Sequence, residues 1–235
     1  LMNGRDMGNI VINAKNSGVR NIFDVEAKVS SADIIGNNSL NVKGTIDNNF
    51  PSAKLNFDAD LKDFNLSFVQ TFVKDVFTNF RGYATGLVKL EGNLKDFTYN
   101  GDVALRNFGL KVNFSGVDYQ FDDTNVLIHD GNMIFSLVGV KDGRNNSKGM
   151  ISLGQINLGN FNNIGANILV RADNLMMLDT TQKDFDTFWG KVYAQGDLFV
   201  EFTDTKGLRI DATETKVLNN SINTFNSNTN SSYDE

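Results

Sequence analysis

A glycine followed by a short strand of alternating side chains recurs along this chain, and that recurrence constrains the fold more than any single residue. Its copies include Gly86-LVKLE, Gly101-DVAL, Gly109-LKVNF, Gly116-VDYQF, Gly131-NMIFSL, Gly149-MISL, Gly196-DLFVEF and Gly207-LRIDA. In Gly116-VDYQF, Val117, Tyr119 and Phe121 share one side, with Asp118, Gln120 and Asp122 on the other. Such period-2 alternation belongs to a strand with one dry and one wet face. The leading glycine supplies a turn or bulge with unrestricted φ. Short strands at regular spacing predict an all-β repeat, stacked as a solenoid or wrapped as one long sheet. The surface of interest is then a continuous apolar face, not a point-like active site.

Composition narrows the function. The 235 residues carry a net charge of −6, which argues against nucleic acid, since that ligand calls for a basic face with interleaved aromatics. The absence of cysteine removes thiolate metal sites, a Cys nucleophile and disulfide staples. A single proline, Pro51, leaves long ladders uninterrupted, and 33 asparagines suit left-handed turn positions. No 18-residue apolar run occurs, so no helical membrane span is expected. The sequence opens on Leu1 without a signal peptide and reads as an internal piece of something longer.

Four segments follow from the patterning. Residues 1–62 read as β-repeats, with alternating strands in Gly8-NIVINA, Asn21-IFDVEAKV, Leu40-NVKGTI and Lys54-LNFDADL. Over 63–81 the period changes: Leu66, Val69, Phe72, Val73, Val76, Phe77 and Phe80 recur at helical spacing, and Gly82 stands where a helix ends. This predicts one short amphipathic helix, packed as a brace. Its polar side carries only Lys74, too little for an interfacial anchor. Residues 82–217 resume the repeat, with a polar hairpin loop at Asp142-GRNNSK and a helix or loop around Leu175-MMLDTTQKDFDTFWG. Residues 218–235 are Asn/Ser-rich and predicted to fray.

No catalytic chemistry emerges. His129, the one histidine, sits beside Asp130-Gly131 and reads as a polar turn residue. The pairs Asp58/Asp60, Asp122/Asp123 and Asp184/Asp186 match no calcium loop and read as solvated turns. Gly82-YATG and Gly154-QINLG lack the Lys-Ser/Thr of a phosphate loop. Trp189 reads as a core or rim aromatic. No catalytic residue, metal ligand or cofactor is expected.

The order of parts resembles the C-terminal half of the TamB-like (translocation and assembly module) proteins of the AsmA-like superfamily, in their Bacteroidetes form. The resemblance covers about residues 60–217. It rests on Phe80-Arg-Gly-Tyr-Ala-Thr-Gly, Gly101-Asp-Val-Ala-Leu-Arg-Asn-Phe-Gly, Val117-Asp-Tyr-Gln-Phe, Lys148-Gly-Met-Ile-Ser-Leu, Asn174-Leu-Met-Met-Leu-Asp-Thr-Thr, Phe188-Trp-Gly-Lys-Val-Tyr-Ala-Gln-Gly and Leu208-Arg-Ile-Asp-Ala-Thr-Glu-Thr. The chain departs from the pattern at Phe185, Phe188-Trp189 and the Asn-rich stretch after Thr215. The resemblance implies a long sheet curled into an open U-shaped groove with an apolar inner wall. It further implies a periplasmic segment of an inner-membrane-anchored bridge that docks on an outer-membrane barrel of the TamA type and conducts phospholipid acyl chains.

The candidate wall comprises Val103, Leu105, Val112, Phe114, Tyr119, Phe121, Val126, Ile128, Phe135, Leu137, Ile151, Leu153, Ile168, Val170, Leu198, Val200, Leu208 and Ile210. An acyl chain gains roughly 0.8 kcal/mol per buried CH₂ in such a trough. Two other readings share the pattern: an assembly factor pairing its edge with nascent β-barrel strands, and a secreted β-solenoid adhesin with a sealed core. A β-helical lyase is disfavoured, because no acid/base cluster recurs on a strand face.

Overall fold

The structure, a computed structural model, describes residues 9–30, 39–70, 74, 76–143, 147–157, 159, 164–185, 188–203, 205 and 207–225. Its strands are β1 (Asn9–Asn16), β2 (Ile22–Ser30), β3 (Ser39–Asp47), β4 (Lys54–Asn65), β5 (Phe77–Asn93), β6 (Asp96–Val112), β7 (Asp118–Phe121), β8 (Thr124–His129), β9 (Asn132–Lys141), β10 (Lys148–Asn157), β11 (Gly165–Thr180), β12 (Phe188–Thr203), β13 (Gly207–Val217) and β14 (Ile222–Phe225). All lie in one antiparallel sheet, each beside its sequence neighbour except that β7 does not pair with β8, nor β13 with β14. β7 and β8 together fill one place between β6 and β9. β14 continues the place of β13 along β12.

Register turns the sequence alternation into a surface. Residues directly opposite on neighbouring strands share a face. One row runs Ile12, Ala27, Val42, Ala59, Val88, Gly101, Ile128, Met133, Ile156, Ala166, Phe202, Leu208, with no polar residue across the whole width of the sheet. The adjacent row on the other face reads Asn13, Glu26, Lys43, Asp58, Lys89, Asn100. There Lys43 Nζ lies 3.3 Å from Glu26 Oε1, and Lys43, followed by Lys28, holds the Glu26 carboxyl below its usual range. Exposed pairs of this kind add little stability each; they keep the outer face wet. Gly101 occupies its row because a Cβ there would stand 2.1 Å from the Leu87 carbonyl oxygen.

The sheet curls where its register breaks. Pairings among β1–β4 are continuous. Shifts occur between β4 and β5, β5 and β6, β10 and β11, β11 and β12, and β12 and β13. Each bulge bends and twists its strand. Two neighbouring strands lie about 4.8 Å apart, so β7 and β11 would be about 14 Å apart in a flat sheet. Here Asp179 N donates to Ser115 O at 2.8 Å, and the Tyr119 hydroxyl donates to Met176 O at 2.8 Å. At the opposite end of β6 the Tyr99 hydroxyl reaches Gly159 O at 3.1 Å. The two walls therefore meet at both ends of β6. Gly116 forms part of the first seam, with φ +70 and a virtual Cβ 2.2 Å from Asp179 O.

Of the helix expected over 63–81, the described residues show an α-helical Gln70, while Thr71, Phe72, Val73 and Asp75 lie outside them and both ends are taken by other elements. β4 runs to Asn65, a single 3₁₀ turn covers Leu66–Val69, and β5 starts at Phe77. Asn65 Oδ1 caps the turn by accepting from Ser67 N at 2.9 Å. Phe77 and Thr78 instead pair with Val112 and Lys111. The stretch is rich in Val, Phe and Thr, which are weak helix formers and good strand formers, so ladder pairing wins over the local 3.6-residue spacing. Phe72 and Val73 lie outside the described residues. Likewise Leu175 to Thr180 belongs to β11 rather than to a helix or loop, and Ile222–Phe225 pairs with β12 where fraying was expected.

Candidate functional site

The apolar face has two halves. Over β6–β12 it is sealed by its own curl. Ala84, Tyr99, Val103, Val126 and Ile128 form one buried cluster, with Leu61, Leu66, Leu105, Met133 and Phe135 packed on it. Val140, Ala172, Leu175 and Leu198 form a second, lined by Tyr119, Phe121, Val170 and Met177. Bulky rings stand on one wall: Phe80, Phe108 and Phe121 follow one another at centroid distances of 5.7 and 5.1 Å. Small residues stand on the other, in the row Gly149, Ala172, Gly196. Large against small lets the walls interdigitate and exclude water.

Over β1–β3 the same face is open. No residue of these three strands is buried, although Ile10, Ile12, Phe23, Val25, Leu40, Val42 and Ile46 alternate along them. Ile10 is 55% exposed and Ile12 66%. β4 extends the face with half-buried Leu55, Phe57 and Leu61. A closed sandwich would bury these side chains; here they form an exposed apolar face that continues into the packed half.

A buried polar knot holds the seam. Met176 lies past Asp173, the last residue that β10 pairs on β11, so its N–H needs another acceptor. Asp142 Oδ2 takes it at 3.1 Å and also accepts from the Ser147 hydroxyl. Both Asp142 and Ser147 are buried, so the ends of the predicted hairpin loop are structural. Burial, followed by the Asp142 carboxylate, raises the Tyr119 phenol well above its usual range.

The eighteen candidate wall residues divide accordingly. Val103, Val126, Ile128, Ile151 and Leu198 are buried core. Leu105, Tyr119, Phe121, Phe135 and Val170 pack on that core. Val112 is half-buried at the end of β6. Ile168, Val200 and Ile210 share one row on the apolar face, and the backbone of Leu208 pairs with Phe202.

Three residues leave the face. Leu137 takes φ +55 at an irregularity in β9 and is 73% exposed, which hands the apolar face to Val138 and Val140. Leu153 follows the register break after Ile151 and pairs with Ser136 and Leu169 on the outer face. Phe114 lies in the β6–β7 turn against Phe185 at 5.4 Å. Simple alternation runs past the irregularities before Leu137 and Leu153 and past the end of β6 at Phe114. The open floor on β1–β4 was missed because the family resemblance begins only at about residue 60, although the alternation signal there is strong.

The remaining candidates are solvated. His129 Nε2 stands 3.6 Å from Asp130 Oδ2 in the open. Asp122 faces Lys141 at 3.6 Å, Asp123 accepts from Asn107 N, and Asp184 accepts from Thr181 N and Oγ1. Asp186 lies outside the described residues. Among those residues no group of three His, Cys, Asp or Glu could hold a metal ion, and no helix is long and apolar enough to cross a membrane. No family model, curated protein or solved structure matches this chain.

Proposed function

We propose that this chain is a non-enzymatic lipid-handling segment whose trough takes phospholipid acyl chains. The observation that carries the reading is the unbroken apolar row from Ile12 to Phe202, exposed to solvent over β1–β3 and packed into a buried cluster at Ile128. The trough binds by area and has no polar anchor of its own, which suits chains that slide; each buried CH₂ contributes roughly 0.8 kcal/mol. In the periplasmic-bridge reading, the segment carries lipid toward a TamA-type outer-membrane barrel and supports outer-membrane biogenesis.

The test places a photo-crosslinking residue at Val42, on the floor, and separately at Lys43, on the outer face, in living cells. Lipid adducts at 42 and none at 43 are expected. Absence of lipid at 42 overturns the proposal. Protein adducts there instead would favour the assembly-factor reading.

A further inference from the structure

We propose that the cavity at the turn end of β3–β5 binds a zwitterionic phosphodiester, with Lys54 on the phosphate and Asp47 on the ammonium. The site deepens the lipid reading and rests on it for the source of such a group, a phospholipid head. The cavity holds about 730 Å³, within the range of small-molecule sites. The β3–β4 turn walls it with Phe50, Pro51 and Ser52. On the outer face of the sheet its base is the row Asp47, Lys54, Asn93. Leu55, opposite Ile46 on the apolar face, also lines it. The cavity therefore reaches the end of the open floor, and a head held there leaves its chains beside that floor.

Two opposite charges stand in register here and are kept apart. Asp47 and Lys54 face each other directly across β3 and β4, a placement in which opposite charges attract. They form no ion pair, because the turn holds each of them elsewhere. Asp47 Oδ1 accepts from Asn49 N at 2.9 Å and from Asn49 Nδ2 at 2.8 Å, which leaves Oδ2 without a donor among the described residues. Asn49 is fixed in turn: its Nδ2 donates to Arg20 O, and its Oδ1 accepts from Asn21 Nδ2, both at 3.1 Å. Lys54 Nζ lies 3.8 Å from the centre of the Phe50 ring, a cation–π contact that supplies no anion. Glu91, the other carboxylate of the cavity, is already held by Lys89 at 2.8 Å. One open cation and one open anion therefore stand side by side. The β-carbons of such a pair are about 5 Å apart, comparable to the span of an ethanolamine bridge. A ligand of one sign meets one attraction and one repulsion, whereas a ligand carrying both signs meets two attractions.

The test is titration calorimetry with dihexanoyl phosphatidylcholine below its micelle point, its phosphatidylglycerol counterpart and chain-free glycerophosphocholine. The native chain should prefer the choline lipid. Lys54→Gln should weaken both lipids about three- to fivefold. Asp47→Asn keeps an acceptor for Asn49; it should weaken the choline lipid by a similar factor and strengthen the glycerol lipid. Those opposite signs are a response that a merely disordered turn would not give. Uptake of an uncharged fluorescent fatty alcohol and the melting temperature should be unchanged in Lys54→Gln, whose side chain is exposed.

Equal affinity for the two lipids, or affinities that ignore both substitutions, overturns the head site; uptake of the fatty alcohol then leaves the lipid reading standing. Where neither lipid nor alcohol binds, the lipid reading fails and glycerophosphocholine decides the site. Binding that Lys54→Gln weakens makes a free phosphodiester the ligand, and no binding overturns the proposal. Lipid binding with the expected signs, without glycerophosphocholine binding, makes the lipid head the source.

Discussion

The hydroxyl of Tyr119 on β7 and the carbonyl of Met176 on β11 are hydrogen-bonded at 2.8 Å across 57 residues of sequence. That bond ties one wall of the curl to the other. Tyr119→Phe keeps the ring and leaves the carbonyl unpaired in the interior. A loss of about 1–2 kcal/mol is expected, read as a lower urea midpoint with an unchanged slope.

The same phenol gives the fold an alkaline limit. Its proton is held more tightly in the native state than in the unfolded chain. The resulting stability is complete below the unfolded tyrosine value of about pH 10 and falls as pH rises beyond it. Urea midpoints measured on both sides of that pH should drop for the native sequence. The drop should be smaller in Tyr119→Phe.

Asp142 holds Met176 N and the Ser147 hydroxyl. Asp142→Ala removes the nearer acceptor of Met176 N, leaving only Ser147 Oγ at 3.4 Å, and takes away the partner of the Ser147 hydroxyl, which should cost about 1–3 kcal/mol. Asp142→Asn retains an acceptor oxygen and should cost less. Equal losses in chemical denaturation would mean that the carboxylate charge, rather than the acceptor, holds the knot.

One substitution made in both halves separates trough from core. Val42→Asp on the half-exposed floor should abolish uptake of a fluorescent fatty acid and leave the melting temperature nearly unchanged. Val126→Asp, at a position 1% exposed, places an unpaired charge in the core and should prevent folding. Unfolding by both would make β1–β3 as essential to the core as β8.

Gly116→Ala adds a Cβ that meets the Asp179 carbonyl oxygen at φ +70. Strain and overlap act together, and about 1–3 kcal/mol should be lost. Native-state hydrogen exchange should localise the loosening to the seam amides of Asp179 and Val117.

The sequence by itself determined the all-β class, the repeat of short strands and which side of most strands is apolar. These follow from period-2 alternation, short turns and scarce proline, all local properties that pairing preserves. It also indicated the solvated character of His129, Asp122, Asp123 and Asp184, whereas Asp58 and Asp60, read as turn residues, lie within β4. It misread the ends of 63–81, where Phe77 and Thr78 join the ladder instead of the helical spacing. It lost the face at Leu137 and Leu153, because a bulge costs one residue of phase and leaves no compositional mark.

Only the tertiary structure decided which part of the apolar face is open to solvent and which is core. Val42 and Val126 are indistinguishable as alternating valines. One lies on continuous, uncurled ladders; the other lies where bulges, facing large and small side chains and the Tyr119–Met176 bond fold the sheet onto itself. Closure depends on contacts between residues some 60 positions apart, and no local pattern encodes that distance.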